Sequence, residues 1–270
     1  MSDESQNTDK VINAATKIID LAADSPELSE AGHKFAKSAL TIAKAVDNCL
    51  LPIAAVNFAF DKARKYFENR FQKDLEKATN DIPAEDLIEP KASVAAPVLQ
   101  GLAFSHEEQD LKMMYLKLLS SAMDGRKAGS VHPAYAEIIR QLTSDEARLL
   151  NQVIDGRPRI PIVTLKGWDQ IGITKMHKNI LPYSDVNTGE QIAAPKLPSM
   201  IDNWQRLELI SITYEFHLVA TGEYDWVQSR PEYIELKEET EKEVEIEKGI
   251  MELTAFGKLF AEAVGKKPKL

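Results

Sequence analysis

The chain has 270 residues and a mass of 30.2 kDa, and it is 44% hydrophobic and 28% charged, with 12 Gly and 13 Pro. That is enough for one large or two modest domains, and the composition excludes collagen, low-complexity disorder and a disulfide scaffold. A net charge of −9 argues against a general polyanion binder. The single cysteine, Cys49, and the polar, acidic start MSDESQNTDK carry neither an internal disulfide nor a signal peptide, so a cytoplasmic protein is expected.

Residues 1–8 read as a disordered tail, and 9–80 as a helical N-terminal region. Val11, Ile12, Ala15, Ile18, Ile19 and Ala22 fall at helical spacing. Ser25-Pro26 then opens a long helical stretch from Glu27 to about Thr79, with Gly32 and Pro52 as breaks or kinks. Within it, CLLPIAAVNFAF (Cys49 to Phe60) is nearly free of polar side chains. It is shorter than the ~20 residues a membrane span needs. It reads as a buried helix, or as one that pairs with another subunit or leans on a membrane after a trigger. Asp61 to Lys77 alternates acids and bases over an aromatic stripe of Tyr66, Phe67 and Phe71, the pattern of a solvated face with a packed back.

NDIPAEDLIEP (Asn80 to Pro90) is the first linker signal, and 81–142 reads as a central helical core. Val94 to Leu102 is helical, and Ser105 with Glu108 forms an S-x-x-E capping box before Leu111, Met114, Leu118, Leu119 and Met123. Pro133 to Leu142 is a further short helix. A second capping box, Thr143 with Glu146, opens a helix that ends at Gly156.

From there the chain changes character, and 143–265 reads as an α+β module before the basic tail 266–270. Arg159 to Leu165 predicts a strand, Gly167 to Lys196 mostly connection, and Ser199 to Leu207 a helix. Ile210 to Val219 alternates as a strand. Ile250 to Leu253 predicts a final strand, and Thr254 caps a helix over Phe256 to Val264. This order is that of a winged-helix-like module. The expected fold class is therefore mainly α, with a C-terminal winged-helix-like α+β module.

Chemical motifs are few. GWDQIGIT (Gly167 to Thr174) has Ile173 where a phosphate-binding loop needs lysine. HEEQD (His106 to Asp110) lacks the second histidine of a zincin. The five histidines are scattered, and Cys49 sits in an apolar run where a thiol stays protonated. Asp225, Glu235 and Lys237 match a permissive metal-nuclease pattern. They lie beside the run Glu232 to Glu247, with eight acids and two lysines, which reads as a solvated charge run. No cofactor or metal is expected, and neither is an enzyme.

Arg126 to Lys178 holds nine Lys and Arg against five Asp and Glu. Arg157, Arg159, Lys166, Lys175 and Lys178 are therefore candidates for phosphate contacts. Asn203, Gln205 and Arg206 are candidates for base edges.

LLSSAMDGRKAGSVHPAYAEIIRQLTSDEARLL (Leu118 to Leu150) resembles the core of the bacterial abortive-infection alpha family, in which a helix ends near "LLASAMD" and is followed by "HPAF", "EIIKQL" and "LSPDEA". Asp124, His132, Pro133 and Glu137 hold motif positions here. Upstream, IPAEDLIEPKASVAAPVLQGLAF resembles the family's lead-in. Downstream, IDNWQRLELISI is similar to "LDNLERLGLIEI" and MELTAFGKLFAEAV to "LTxFGxxFxxAC". Asp202 and Asn203 match, whereas Trp204, Gln205 and Glu208 depart. The resemblance implies a role in limiting phage spread by harming or arresting the infected cell, and it implies no catalytic residue set. Three expectations follow: a non-enzymatic effector acting through a protein partner or self-association, a nucleic-acid-binding regulator, and a membrane-acting effector using 40–60.

Overall fold

The computed structural model describes residues 57–155, 157–184, 187–240 and 243–266. The expectations for the tail 1–8, the helices before 57, Cys49, Pro52, Gly156 and most of the tail 266–270 lie outside these residues. The chain divides into two compact units, a helical one that includes residues up to 152 and 259–267, and a sheet unit built on 153–258.

The helical unit contains α1 (Asn57–Asn69), α2 (Phe71–Thr79), α3 (Ala92–Ser105), α4 (Gln109–Met123) and α5 (Ala134–Arg140). α6 (Ser144–Asp155) carries the chain out of it, and α9 (Ala255–Ala263) carries the chain back. The expected long helix to Thr79 is broken at Arg70, whose φ of −127° leaves the helical region. The break turns Tyr66 and Phe71 into the same buried aromatic cluster. α4 is the central element, apolar enough to be buried on most sides, with Tyr115, Leu118 and Leu119 out of contact with water. Its partner α3 brings Gly101 against the Tyr115 ring, where a Cβ would lie 2.2 Å from a ring carbon. The Tyr115 hydroxyl donates to the Ala136 carbonyl of α5 at 3.3 Å.

Of the two expected capping boxes, one forms. The Thr143 N–H and hydroxyl donate to Glu146 Oε2 at 2.8 and 2.9 Å, and the Glu146 N–H returns to Thr143 Oγ1 at 3.2 Å. Ser105 does not cap α4. It is the last residue of α3, and Glu108, at the N-cap of α4, makes no side-chain cap bond. Asn80 to Pro90 is pinned rather than free, since the Ile88 N–H donates to the Met123 carbonyl and the Gly125 N–H to that of Asp86, at 2.9 and 2.8 Å.

The sheet unit contains β1 (Arg159–Trp168), β2 (Ile173–Ile180), α7 (Leu197–Arg206), β3 (Ile210–Thr213), α8 (Pro231–Glu239) and β4 (Glu245–Leu253). Its strands run in the order β2-β1-β4-β3, every pair antiparallel, in a curled half-barrel sheet. This overturns the expected fold class. The chain is mixed α/β rather than mainly α, and its C-terminal part is not a winged-helix-like module.

Two segments account for the difference. Gly167 to Lys196, expected as connection, supplies β2. The acidic run, expected as a solvated charge run, supplies α8 and the first three residues of β4. Glu235, Glu238 and Glu239 of α8 are exposed, while Leu236 inserts into a core of Val163, Leu165, Ile180, Tyr224 and Val227. The expected strand over Ile210 to Val219 stops at Thr213, because Tyr214 folds over Gly249, where any Cβ would meet its ring at 2.7 Å. Tyr224 donates from its hydroxyl to the Gly249 carbonyl at 2.8 Å.

Candidate functional site

The cations expected to contact nucleic acid are brought onto one sheet unit, and acids from the other end of the sequence meet them there. The β1–β4 register sets Lys166 opposite Glu245 and Arg159 opposite Glu252. Lys166 Nζ lies 3.1 Å from both Glu245 and Glu247, and the Trp168 indole N–H donates to Glu245 at 2.9 Å. Lys175, on β2, reaches Glu235 and Glu239 of α8 at 2.7 and 2.8 Å. Arg157 pairs with Glu223 at 2.6 Å and Arg159 with Glu252 at 3.3 Å. Four of the five cations thus face six carboxylates. Lys178 stands exposed without an ion pair among the described residues. The hydrogen bonds that Lys166 donates to Glu245 and Glu247 hold its ammonium above its usual range. Those that Lys175 donates to Glu235 and Glu239 do the same for it, while Lys175 draws Glu235 down.

The other candidates scatter. Arg206 donates to Asn203 Oδ1 at 2.7 Å, so these two side chains partner each other across one turn of α7. Glu235 is tied to Lys175, and Lys237 is exposed. Among the described residues, no three His, Cys, Asp or Glu side chains are placed to hold a metal ion.

The family-motif positions have local structural work. The Asp124 carboxylate is buried and accepts from the Arg126 backbone N–H at 3.0 Å and from its Nε and Nη2 at 2.8 Å each. These bonds hold its pKa below the usual carboxylate value against the cost of burial. Pro133 begins α5, and the His132 Nδ1 accepts the Ala134 N–H at 3.1 Å, a side-chain cap for the first turn. Glu137 pairs with Arg140 one turn along the same helix.

Three features are missing from the sequence reading. Asn179 adopts a left-handed φ of 56° on β2, donates to Asp202 at 2.9 Å and accepts from the Tyr214 hydroxyl at 3.2 Å. Its signal is the β-bulge between the Val163 and Leu165 pairings, which no local pattern announces. Arg230 is fully buried and donates to the carbonyls of Tyr183 and Ile192 at 3.1 and 2.7 Å and to Glu232 at 2.7 Å. Finally, Ile171, Val219 and Phe216 are 96, 89 and 65% exposed on connections of the sheet unit. For Ile171 the signal is present, since Asp169 accepts the N–H groups of Ile171 and Gly172 at 2.6 and 2.9 Å. That is an Asx-type turn, readable from D-x-x-G.

The arrangement provides charged groups already matched within the chain, together with large apolar side chains in water. No helix among the described residues is long and apolar enough to cross a membrane. No curated protein and no solved structure matches the chain. A family model described as abortive infection alpha matches residues 63–264, three-quarters of the length, and so takes in both units. The chain belongs to the abortive infection alpha family, and its function is of the abortive-infection type.

Proposed function

We propose that this protein acts in the cytoplasm of an infected bacterium by binding another protein, and that it works by contact rather than by turnover. The observation that carries the reading is the exposure of Ile171, Phe216 and Val219 on one unit. Apolar side chains of this size left in water on the connections of one unit are available for a protein contact to cover. The nucleic-acid reading draws less support, because Arg157, Arg159, Lys166 and Lys175 are matched by carboxylates of the chain itself. A phosphate would have to displace those acids. The membrane reading rests on 40–60, most of which lies outside the described residues.

The test is a set of phage-infection growth curves with the wild type and the triple variant Ile171→Ser/Phe216→Ser/Val219→Ser. The wild type protects at a low phage-to-cell ratio, with early collapse at a high one. The triple variant loses both effects while keeping its thermal unfolding midpoint. Full protection by the triple variant overturns the reading. So does a metal-dependent turnover lost in Glu235→Ala, or salt-sensitive nucleic-acid binding lost in Arg157→Ala/Arg159→Ala.

A further inference from the structure

The strand order leaves β2 at an edge of the sheet, paired with β1 alone. An edge strand carries a row of backbone donors and acceptors that a further strand can satisfy. This edge belongs to the hairpin that also carries the exposed apolar side chains Ile171, Ile173 and Met176. Its sequence, ITKMHKNI, holds two lysines and no acid. Lys178 is exposed there without an ion pair among the described residues.

The same sheet already shows what such a strand accepts. β1, RIPIVTLKGW, is likewise basic and free of acids, and its partner on the other side is β4, EIEKGIMEL, in which glutamates flank apolar residues at both ends. The register places Glu245 opposite Lys166 and Glu252 opposite Arg159. Cross-strand pairs of opposite charge stabilise a ladder, and like charges opposite each other destabilise it.

We propose that the β2 edge takes up an extended segment of a partner protein, with carboxylates at alternate positions between apolar residues, as a fifth strand of the sheet. This rests on the protein-contact reading above and gives it a surface and a partner chemistry. Charge also chooses between occupants. Two copies of β2 paired edge to edge bring lysines to lysines across the interface, whereas an acidic strand meets Lys178 with a carboxylate. Lysines are one of the devices by which edge strands resist pairing with themselves, and they do not stand against an acidic partner.

The probe is a fluorescent eleven-residue peptide with the sequence of residues 243–253, EVEIEKGIMEL. Its control has the four glutamates replaced by lysine. Binding to the full chain is read by anisotropy at low salt. The acidic peptide is expected to bind saturably and the lysine peptide not at all. Lys178→Glu is expected to weaken the acidic peptide about tenfold, and Met176→Asp by a similar factor. Both variants keep the wild-type circular dichroism and unfolding midpoint, since both side chains are exposed. Equal affinity of the acidic peptide for wild type and Lys178→Glu overturns the proposal, as does no binding at about 1 mM peptide. A wild-type dimer in sedimentation that the peptide dissociates assigns the edge to a second copy and overturns it too. If the peptide fails while the triple variant above still loses protection, the edge assignment falls and the contact reading stands. If the triple variant protects fully, the contact reading itself falls.

Discussion

In the helical unit, Arg64 pairs with Glu68, Arg148 with Asp145 and Arg126 with Asp124, each within four residues along the chain, while Lys112 reaches 38 residues to Asp74 and Lys62 45 to Glu107. In the sheet unit, Arg157 reaches 66 residues to Glu223, Lys166 79 to Glu245 and Arg159 93 to Glu252. The helical pairs Arg64–Glu68 and Arg148–Asp145 each add a few tenths of a kcal/mol to a helix that its apolar face already holds. The pairs of the sheet unit exist only once the sheet has closed, so they report topology. A stretch that looks basic in the sequence can therefore be neutral or acidic in space. The part from Arg157 to Lys175 is such a case, its four cations matched by carboxylates from 223–252. Local charge counts predict partners well only where the fold pairs charges locally.

The sharpest way to break this contrast is to remove one cation from each unit. Arg230 is buried among Tyr183, Ile192 and Glu232, so Arg230→Ala strands a largely buried carboxylate without its cation and takes the guanidinium donors from both carbonyls. The expected cost is about 3–5 kcal/mol, read as a lowered urea midpoint. The double variant Arg230→Met/Glu232→Leu is expected to recover part of that loss, because apolar groups of similar volume replace the pair without a stranded charge. Arg126→Ala in the helical unit is expected to lower the urea midpoint less, since Arg126 itself is exposed and Asp124 keeps a backbone donor.

Two glycines extend the contrast from charge to packing. At Gly257 a Cβ would sit 2.0 Å from the Leu209 carbonyl oxygen, and that backbone is fixed by the Thr254 N–H donating to the same carbonyl at 3.1 Å. Gly257→Ala is therefore expected to cost about 3 kcal/mol. At Gly101 the obstacle is the ring of Tyr115, a side chain that can shift by moving its hydroxyl off Ala136, so Gly101→Ala costs about 1–3 kcal/mol. Thermal melts of the two variants rank them, and equal losses would mean that both glycines meet obstacles that yield alike.

The helical unit is the part that the sequence displays most openly. Thr143 and Glu146 announce their own cap, and Pro133 starts α5, because each depends on neighbours three or four residues away. Ser105 and Glu108 fit the same template and fail, since nothing in four residues says that α3 runs on to Ser105. The sheet unit hides more. β2 has a bulge, a left-handed Asn179 and lysines at 175 and 178, and it is recognisable as a strand only against β1. Leu236 marks α8 as a packed helix, but its hydrophobic signal is diluted by the surrounding glutamates. The family motif positions were legible, whereas the exposed apolar residues were not, because exposure is a property of what the fold leaves uncovered.

A smaller effect tests the pairing in the helical unit by pH. The Asp124 carboxyl has a lowered pKa in the fold because Arg126 hydrogen-bonds its charged form. A lowered folded value gives stability that is fully present above the unfolded pKa, about 3.9, and is lost as pH falls through the folded value. Asp124→Asn is thus expected to be about 1–2 kcal/mol less stable than wild type at pH 7. The two proteins converge as pH drops below about 4. A gap that stays constant down to pH 2 would assign the cost to shape rather than to the charge.

The smallest expected effect is a gain, at the one position where the chain departs from the family pattern and from backbone preference at once. Helix α7 ends in a Schellman motif, with the Leu209 N–H donating to the Trp204 carbonyl and the Glu208 N–H to that of Gln205. The motif requires a left-handed residue at Glu208, and its φ is 58°. Glycine occupies this place in the pattern LDNLERLGLIEI, and an L-residue with a Cβ pays roughly 1–2 kcal/mol there. Part of the gain from Glu208→Gly is offset by the greater freedom of glycine in the unfolded chain. The net expectation is a stabilisation of about 0.5–1 kcal/mol, seen as a raised midpoint with an unchanged denaturant slope. The Glu208 side chain is exposed, and the residue is engaged through its backbone, the carbonyl accepting from the Thr254 hydroxyl at 2.5 Å. A destabilised glycine variant would therefore mean that the carboxylate itself has a role in the sheet unit, among its long-range charge pairs.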